Sequence, residues 1–394
     1  MGAIDEPAIG SAISLGISDL ACARLRRPVR LCDPVSVRRP VPAIRYYCGH
    51  PQAGWGTSRA PGRWITVDST AAGRAAQRET GGLPVFARLI ENVERVILGK
   101  HDVIETIVAA LLARGHVLVE DLPGVGKTML ARALALSIHG TYRRVQCTPD
   151  LLPSDVTGVS VYDPREMKFS FRPGPVFSNV LLVDEVNRAT PRTQAAFLEA
   201  MEERQVSVDG VAYPLPRPFF LVATQNPIEM AGTFPLPEAQ LDRFMMRISI
   251  GYPPDVAEVD MLRAQREFHP IRDLQPVMDG SHLMRTQDAV RRVFVHESLL
   301  RYVQSLVAET RRHPHAMFGA SPRGGLALLH AAQALAAVRR MSFVTPDHVK
   351  DLAVPALAHR ILVKPHSRVQ GVDGRRVVEE TLRKVEVPVD FEPR

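Results

Sequence analysis

Gly124-Val125-Gly126-Lys127-Thr128 decides how the rest of this chain is read. Small residues ahead of Lys-Thr let successive backbone amides turn inward. A helix that starts at the lysine then offers its free N–H groups and positive end to an anion held in the turn. The flanks have the order such a loop requires: His116 to Glu120 reads as a short buried strand, and Lys127 to Ser137 has helical composition. Pro123 and Met129 bracket the loop, so residues 123–129 form the candidate phosphate-binding segment. Lys127 is placed to reach the β- and γ-phosphates of a nucleotide, and the Thr128 hydroxyl to complete a magnesium shell. The pattern G-x-x-x-x-G-K-[ST] lacks its first glycine, where Asp121 stands. On this motif alone, an ordinary glycine turn before a helix remains open.

Two further stretches narrow the choice. Val180-Leu181-Leu182-Val183 is an apolar strand that ends in Asp184-Glu185, roughly 56 residues after the loop. Consecutive strand residues point in opposite directions, so the two acids divide the work: Asp184 holds magnesium directly or through water, and Glu185 polarises an attacking water. Leu221 to Ala223 leads into Thr224-Gln225-Asn226-Pro227. If that strand lies beside the acidic one, Asn226 emerges at the same sheet edge and orients the water or senses the γ-phosphate; Asn-Pro is also a common way to leave a strand. Arg243, in Leu241-Asp242-Arg243-Phe244, and Arg323, in Ser321-Pro322-Arg323-Gly324, are candidates to stabilise charge building on phosphate oxygens. Read blind, a solvated surface explains either arginine better.

Strands are expected at Tyr142–Cys147, Val180–Val183, Phe219–Ala223 and Met246–Ile250, and hairpins at Val156–Phe171 and at Gln205–Tyr213 around Asp209-Gly210. Helical spacing appears in residues 84–96 and 102–113, and Thr190-Pro191 caps a run to Met201. Strands alternating with helices imply a parallel, helix-covered sheet. Beyond Gly251-Tyr252-Pro253-Pro254 only helices are expected: Asp255–Phe268, Glu297–Arg311, Arg323–Arg340 and Thr345–His359.

The 394 residues allow two or three domains, and 45% hydrophobic with 23% charged residues is ordinary for globular material. The net charge of +7 belongs mostly to residues 1–80, where eleven Arg and no Lys face six acids. That front segment, rich in Arg, Pro and Gly, is expected to be a flexible or weakly folded extension, or a stretch ahead of the true translation start. Cys22, Cys32 and Cys48 in it have neither zinc-site nor disulfide-scaffold spacing, and Cys147 reads as a buried thiol, so a reducing, cytoplasmic setting is expected. No stretch has the length or the flanks of a signal peptide or a membrane span.

With these residues laid out, the chain resembles the MoxR family of bacterial AAA+ ATPases. The matching stretches are Glu120 to Thr128, Thr148 to Gly158, Phe171 to Pro175, Asp184 to Ala189, Leu198 to Glu203, Ala223 to Pro227 and Leu236 to Phe244, within roughly residues 84 to 360. The resemblance implies an α/β AAA+ P-loop core with a parallel five-stranded sheet of order 5-1-4-3-2 and a smaller all-helical lid. The changes of composition and periodicity along the chain divide it into an extension at 1–80, a core at 81–252, and a lid and tail at 253–394; the resemblance itself covers no part of 1–80. It assigns Asp184 and Glu185 as the Walker B pair, Asn226 as sensor 1, Arg243 as the trans-acting arginine finger and Arg323 as sensor 2, with ATP and Mg2+ as ligands, and it makes Asp121 a tolerated variation. It further implies homo-oligomeric rings, commonly hexamers, that remodel protein clients, with von Willebrand factor A-domain proteins as frequent partners and the two hairpins facing pore or partner. A nucleic-acid remodeller is the rival reading, favoured by the Arg-rich front but opposed by the near-balanced charge of residues 81–394. A nucleotide-gated scaffold without turnover is opposed by the presence of both Glu185 and Asn226.

Overall fold

The computed structural model describes residues 83–227, 232–266 and 268–391, all within one compact unit. The Arg-rich front segment, with Cys22, Cys32 and Cys48, lies outside the described residues.

Helices Leu83–Glu94 and His101–Leu112 lead into β1 (Val117–Glu120), and the glycine-rich turn opens the helix Lys127–Ser137. There follow β2 (Tyr142–Gln146), the short helix Pro153–Thr157, a hairpin of β3 (Gly158–Asp163) and β4 (Lys168–Pro173), then β5 (Val180–Asp184). The helix Pro191–Glu203 is capped by Thr190, whose hydroxyl accepts from the Thr193 amide, and has Pro191 in its first turn. A second hairpin, β6 (Gln205–Val208) and β7 (Val211–Pro214), precedes β8 (Phe220–Gln225) and β9 (Met246–Ile248).

The five core strands are all parallel and lie in the order β2-β5-β8-β1-β9. Numbered as core strands from the N-terminus and read from the other edge, this is the expected 5-1-4-3-2. Period-two alternation divides the side chains between two cores. Val117, Val119, Val180, Leu182, Phe220 and Val222 face one side, against helices 83–94, 101–112 and 127–137. Leu118, Leu181, Val183, Leu221 and Ala223 face the other, against Phe197, Leu198 and Met201. Each of the Val, Leu and Phe side chains among them contributes about 1.5–3 kcal/mol when fully buried. Buried on both faces, the strands read in sequence as unbroken apolar runs.

After the linker Gly251 to Pro254 come the helices Asp255–Ala264, Gly280–Val290, Glu297–Arg312, Pro322–Val338, Pro346–Leu357, Pro365–Val369 and Gly374–Lys384. The helical region also holds a short antiparallel ladder of β10 (Ala316–Phe318) and β11 (Leu362–Val363), which the all-helical expectation did not include. The expected helix Asp255–Phe268 stops at Ala264, and it buries none of its residues. Arg339, at the end of Pro322–Val338, ties the region to the core by donating to Glu105 at 2.8 Å. Among the described residues no helix is long and apolar enough to cross a membrane.

Candidate nucleotide site

Four parallel strands end at one sheet edge, and their C-terminal residues meet around a pocket of about 390 Å³. Pro123, Gly124, Gly126, Lys127, Thr128, Met129, Asp184, Glu185 and Asn226 line it, as the sequence predicts. The Val125 side chain differs: it packs against the hydrophobic core instead of facing the pocket.

Gly124 and Gly126 have φ of +84° and +90°. Only glycine adopts such angles without strain, and here the angle, not crowding, demands it, because a Cβ on Gly124 would meet nothing within 4 Å. Gly126 caps the helix Lys127–Ser137 without a side-chain hydrogen bond, so the first-turn amides keep no side-chain acceptor. An open turn, an uncapped helix start and the Lys127 ammonium fit the phosphates of a nucleotide.

The acidic pair is more tightly organised than its sequence shows. Glu185 leaves β5 in the left-handed region, φ 56° and ψ 51°, so it does not continue the alternation of the strand. That turn brings both carboxylates to the same pocket, where an extended chain would have sent them to opposite sides. Thr224, fully buried on β8, fixes them together: its hydroxyl donates to Asp184 Oδ1 at 2.5 Å and accepts from the Glu185 amide at 2.9 Å. Asp184 Oδ2 accepts from Arg144 Nη2 at 2.5 Å, and Glu185 Oε2 accepts from Gln146 Nε2 at 2.9 Å and Arg188 Nε at 3.0 Å. The Thr128 hydroxyl and the Asp184 carboxylate line the pocket together and are oxygen donors of the kind that would hold a magnesium ion. Arg144, Gln146 and Thr224 escape the sequence reading because they look like ordinary strand residues; only the β2–β5–β8 register places them here. Asn226, 6% exposed, follows β8 directly and faces the pocket beside Glu185.

Arg243 and Arg323 are not in this pocket. Both reach Glu202, near the end of the helix Pro191–Glu203: Arg243 Nε lies 3.1 Å from Glu202 Oε2, and Arg323 Nη2 bonds Oε1. The adjacent Asp242 is clamped to the helical region, accepting from Arg360 Nε at 2.7 Å and from the Ser321 hydroxyl at 3.0 Å. The Arg360 side chain is 1% exposed and also donates to the carbonyls of Asp242, Phe244 and Met245. Finger and sensor candidates, 80 residues apart in sequence, therefore share one counter-charge.

Another concentration of cations, Arg114, Arg204 and Arg217, lines a small pocket of about 60 Å³ elsewhere. Arg204 ends the helix Pro191–Glu203, and Arg114 follows the end of His101–Leu112. Arg114 pairs with Asp288 at 2.6 Å and donates to Gln287 at 3.1 Å, and Arg204 Nη2 donates to the Arg114 carbonyl at 3.5 Å, so contacts within the protein account for these two arginines.

Comparison with known proteins agrees with this geometry. Residues 116–246 match the model of the ATPase family associated with various cellular activities (AAA), and residues 308–381 match the AAA lid domain. The chain is 37% identical to the chaperone MoxR1 of Mycobacterium tuberculosis, over 81% of this chain and 85% of that protein. The chain belongs to the AAA+ ATPase family. This AAA+ protein is also 48% identical to YeaC of Bacillus subtilis, a protein of uncharacterised function, over 78% of this chain and 96% of YeaC. A crystal structure of a Cytophaga hutchinsonii protein superposes with a TM-score of 0.73 at 34% identity, covering 81% of this chain and 98% of that one. An AAA+ core implies nucleotide binding, and the lined pocket is where the residues for it converge.

Proposed function

We propose that this AAA+ protein is a MoxR-type, magnesium-dependent ATPase that remodels protein clients as a homo-oligomeric ring. The observation that carries the reading is the convergence of Lys127, Thr128, Asp184, Glu185 and Asn226 on one pocket from three separate strand ends. Magnesium, when bound, neutralises charge on the β- and γ-phosphate oxygens. The glycine turn and Lys127 hold the phosphates. Glu185 accepts a proton from water as its oxygen bonds to the γ-phosphorus and the bond from that phosphorus to the β–γ bridging oxygen breaks, leaving ADP and phosphate. Asn226 orients that water.

Arg243 and Arg323, grouped on Glu202 and outside their own subunit's pocket, are read as a unit that serves the pocket of a neighbouring subunit. Arg323 thereby joins the finger instead of closing over its own nucleotide. The clamp from Asp242 to Arg360 and Ser321 connects that unit to the lid, so lid position and delivery of the arginines are coupled. The two hairpins are read as client-facing: Tyr162, Met167 and Phe169 are exposed on the first, and Phe171 stacks on Tyr213 of the second at 3.9 Å. Similarity to the chaperone MoxR1 supports a protein client, and the proposal extends to a partner with a von Willebrand factor A-type domain and a cytoplasmic setting.

The test is Glu185→Gln. It keeps ATP binding and loses turnover; turnover at the wild-type rate rejects Glu185 as the base and the hydrolytic reading with it. Client identity is then approached by affinity capture on the ATP-loaded variant.

A further inference from the structure

Asp121 stands where the phosphate-loop pattern has its first glycine, and nothing in the hydrolytic mechanism uses its side chain. That side chain is 7% exposed, and its carboxylate is saturated. Oδ1 accepts from the Leu122 amide at 2.9 Å. Oδ2 accepts from the amides of Ile250 at 2.5 Å and Gly251 at 2.7 Å, and from the Ser249 hydroxyl at 3.2 Å. Residues 249–251 are where the chain leaves β9 for the lid. The main chain of the same residue faces the opposite way in function: the Asp121 carbonyl accepts from the Lys127 ammonium at 3.0 Å.

We infer that Asp121 is a positioning residue that joins the phosphate loop to the core-to-lid linker, so that engagement of phosphate by Lys127 is transmitted to the linker. A glycine in this place would leave two linker amides without this acceptor. Charge-assisted bonds to a carboxylate are the strong kind, and a buried amide stripped of its acceptor bears its desolvation cost. The linker is also confined at its far end. A Cβ on Gly99 would lie 2.6 Å from Ala257 Cβ and 3.0 Å from Pro254 Cδ, so the chain passes the Gly99 turn with no slack. The segment from one hold to the other runs from Gly251, at φ +64°, to the stiff pair Pro253-Pro254. The helix Asp255–Ala264 that follows buries nothing of its own, so its placement depends on the linker. A change of position at Asp121 therefore has a short, stiff route into the lid.

The inference rests on the nucleotide reading above, and its test separates the two. In a Glu185→Gln parent, hydrogen exchange of the 249–254 segment is followed with and without Mg-ATP, and ATP affinity is measured by titration with a fluorescent analogue. In the parent, ATP changes exchange of the segment by about threefold or more. Asp121→Gly restores the standard motif: affinity stays within about fivefold, the segment exchanges about tenfold faster, and its response to ATP is lost. Asp121→Asn keeps one acceptor oxygen and retains part of the response; it carries the comparison if the glycine variant does not fold. An undiminished response in both variants overturns the inference while leaving the ATPase reading intact, as does a parent that binds ATP with no response at all. A parent that binds no ATP overturns both.

Discussion

His116 Nδ1 accepts from the Leu221 amide at 3.0 Å, and its Nε2–H donates to the Met201 carbonyl at 3.2 Å. Only the neutral ring satisfies both, because a proton on Nδ1 would face an N–H. Burial, which outweighs the bond to Met201, pushes the imidazole down from 6.5 to about 4, and Arg204 adds to the effect. A histidine lowered in the folded state contributes fully above the unfolded value, and its contribution is lost as pH falls from 6.5 through 4. At ~1.4 kcal/mol per unit the whole effect is ~3 kcal/mol, of which about 2 kcal/mol is gone at pH 5. In a His116→Asn variant the side-chain amide oxygen takes the place of Nδ1 and the group cannot titrate; the variant forfeits the bond to Met201 at a pH-independent cost of about 1 kcal/mol. Urea unfolding followed by circular dichroism between pH 7.5 and 4.5 is the assay. Wild type should lose about 2 kcal/mol more than the variant between pH 7.5 and 5, the carboxylates being common to both. Parallel pH profiles would refute the argument that burial holds this ring neutral.

Further outcomes follow from the same geometry. Arg243→Ala and Arg323→Ala should each lower turnover steeply, since a finger arginine is worth about 10³-fold or more, while the half-exposed pairs with Glu202 cost at most about 1 kcal/mol of stability. Mixing Arg243→Ala subunits with Glu185→Gln subunits should restore activity; failure to complement would show that the arginine serves its own pocket. Cys147 is buried, and burial with the nearby Asp184 and Glu185 pushes its thiol up to about 12, so in a protein with Cys22, Cys32 and Cys48 changed to Ser it should resist alkylation at pH 8 until unfolded.

The candidate nucleotide site was legible where its signals are local. Residues 123–129, the apolar run into Asp184-Glu185 and the strand into Asn226 each carry their meaning within a few positions, and strand ends fell within two residues of the expected ones. What escaped depends on register or on long-range meetings. Arg144 and Thr224 matter only because β2, β5 and β8 are neighbours. Glu202 gathers arginines from positions 243 and 323, a junction no local window contains. The helix Gly280–Val290 was missed because half of its buried face is Thr286 and Gln287, which blurs the apolar period; Gln287 bonds the Leu111 carbonyl at 2.7 Å instead. The turn at Glu185 was invisible because nothing in Asp-Glu announces a left-handed residue.

The strand order has a dynamic consequence. Asp184 ends β5, and Glu185 and Asn226 directly follow β5 and β8, each of these strands being bonded to a strand on both sides, whereas β9 is a three-residue edge strand held by β1 alone. Local opening is drawn from the least supported elements, so β9 should fray at free energies where β5 and β8 stay closed. The lid is attached to the strand that yields first, and the chemistry to those that yield last. Large lid excursions thus require no melting of the site, and amide protection should fall from the centre of the sheet toward the lid attachment.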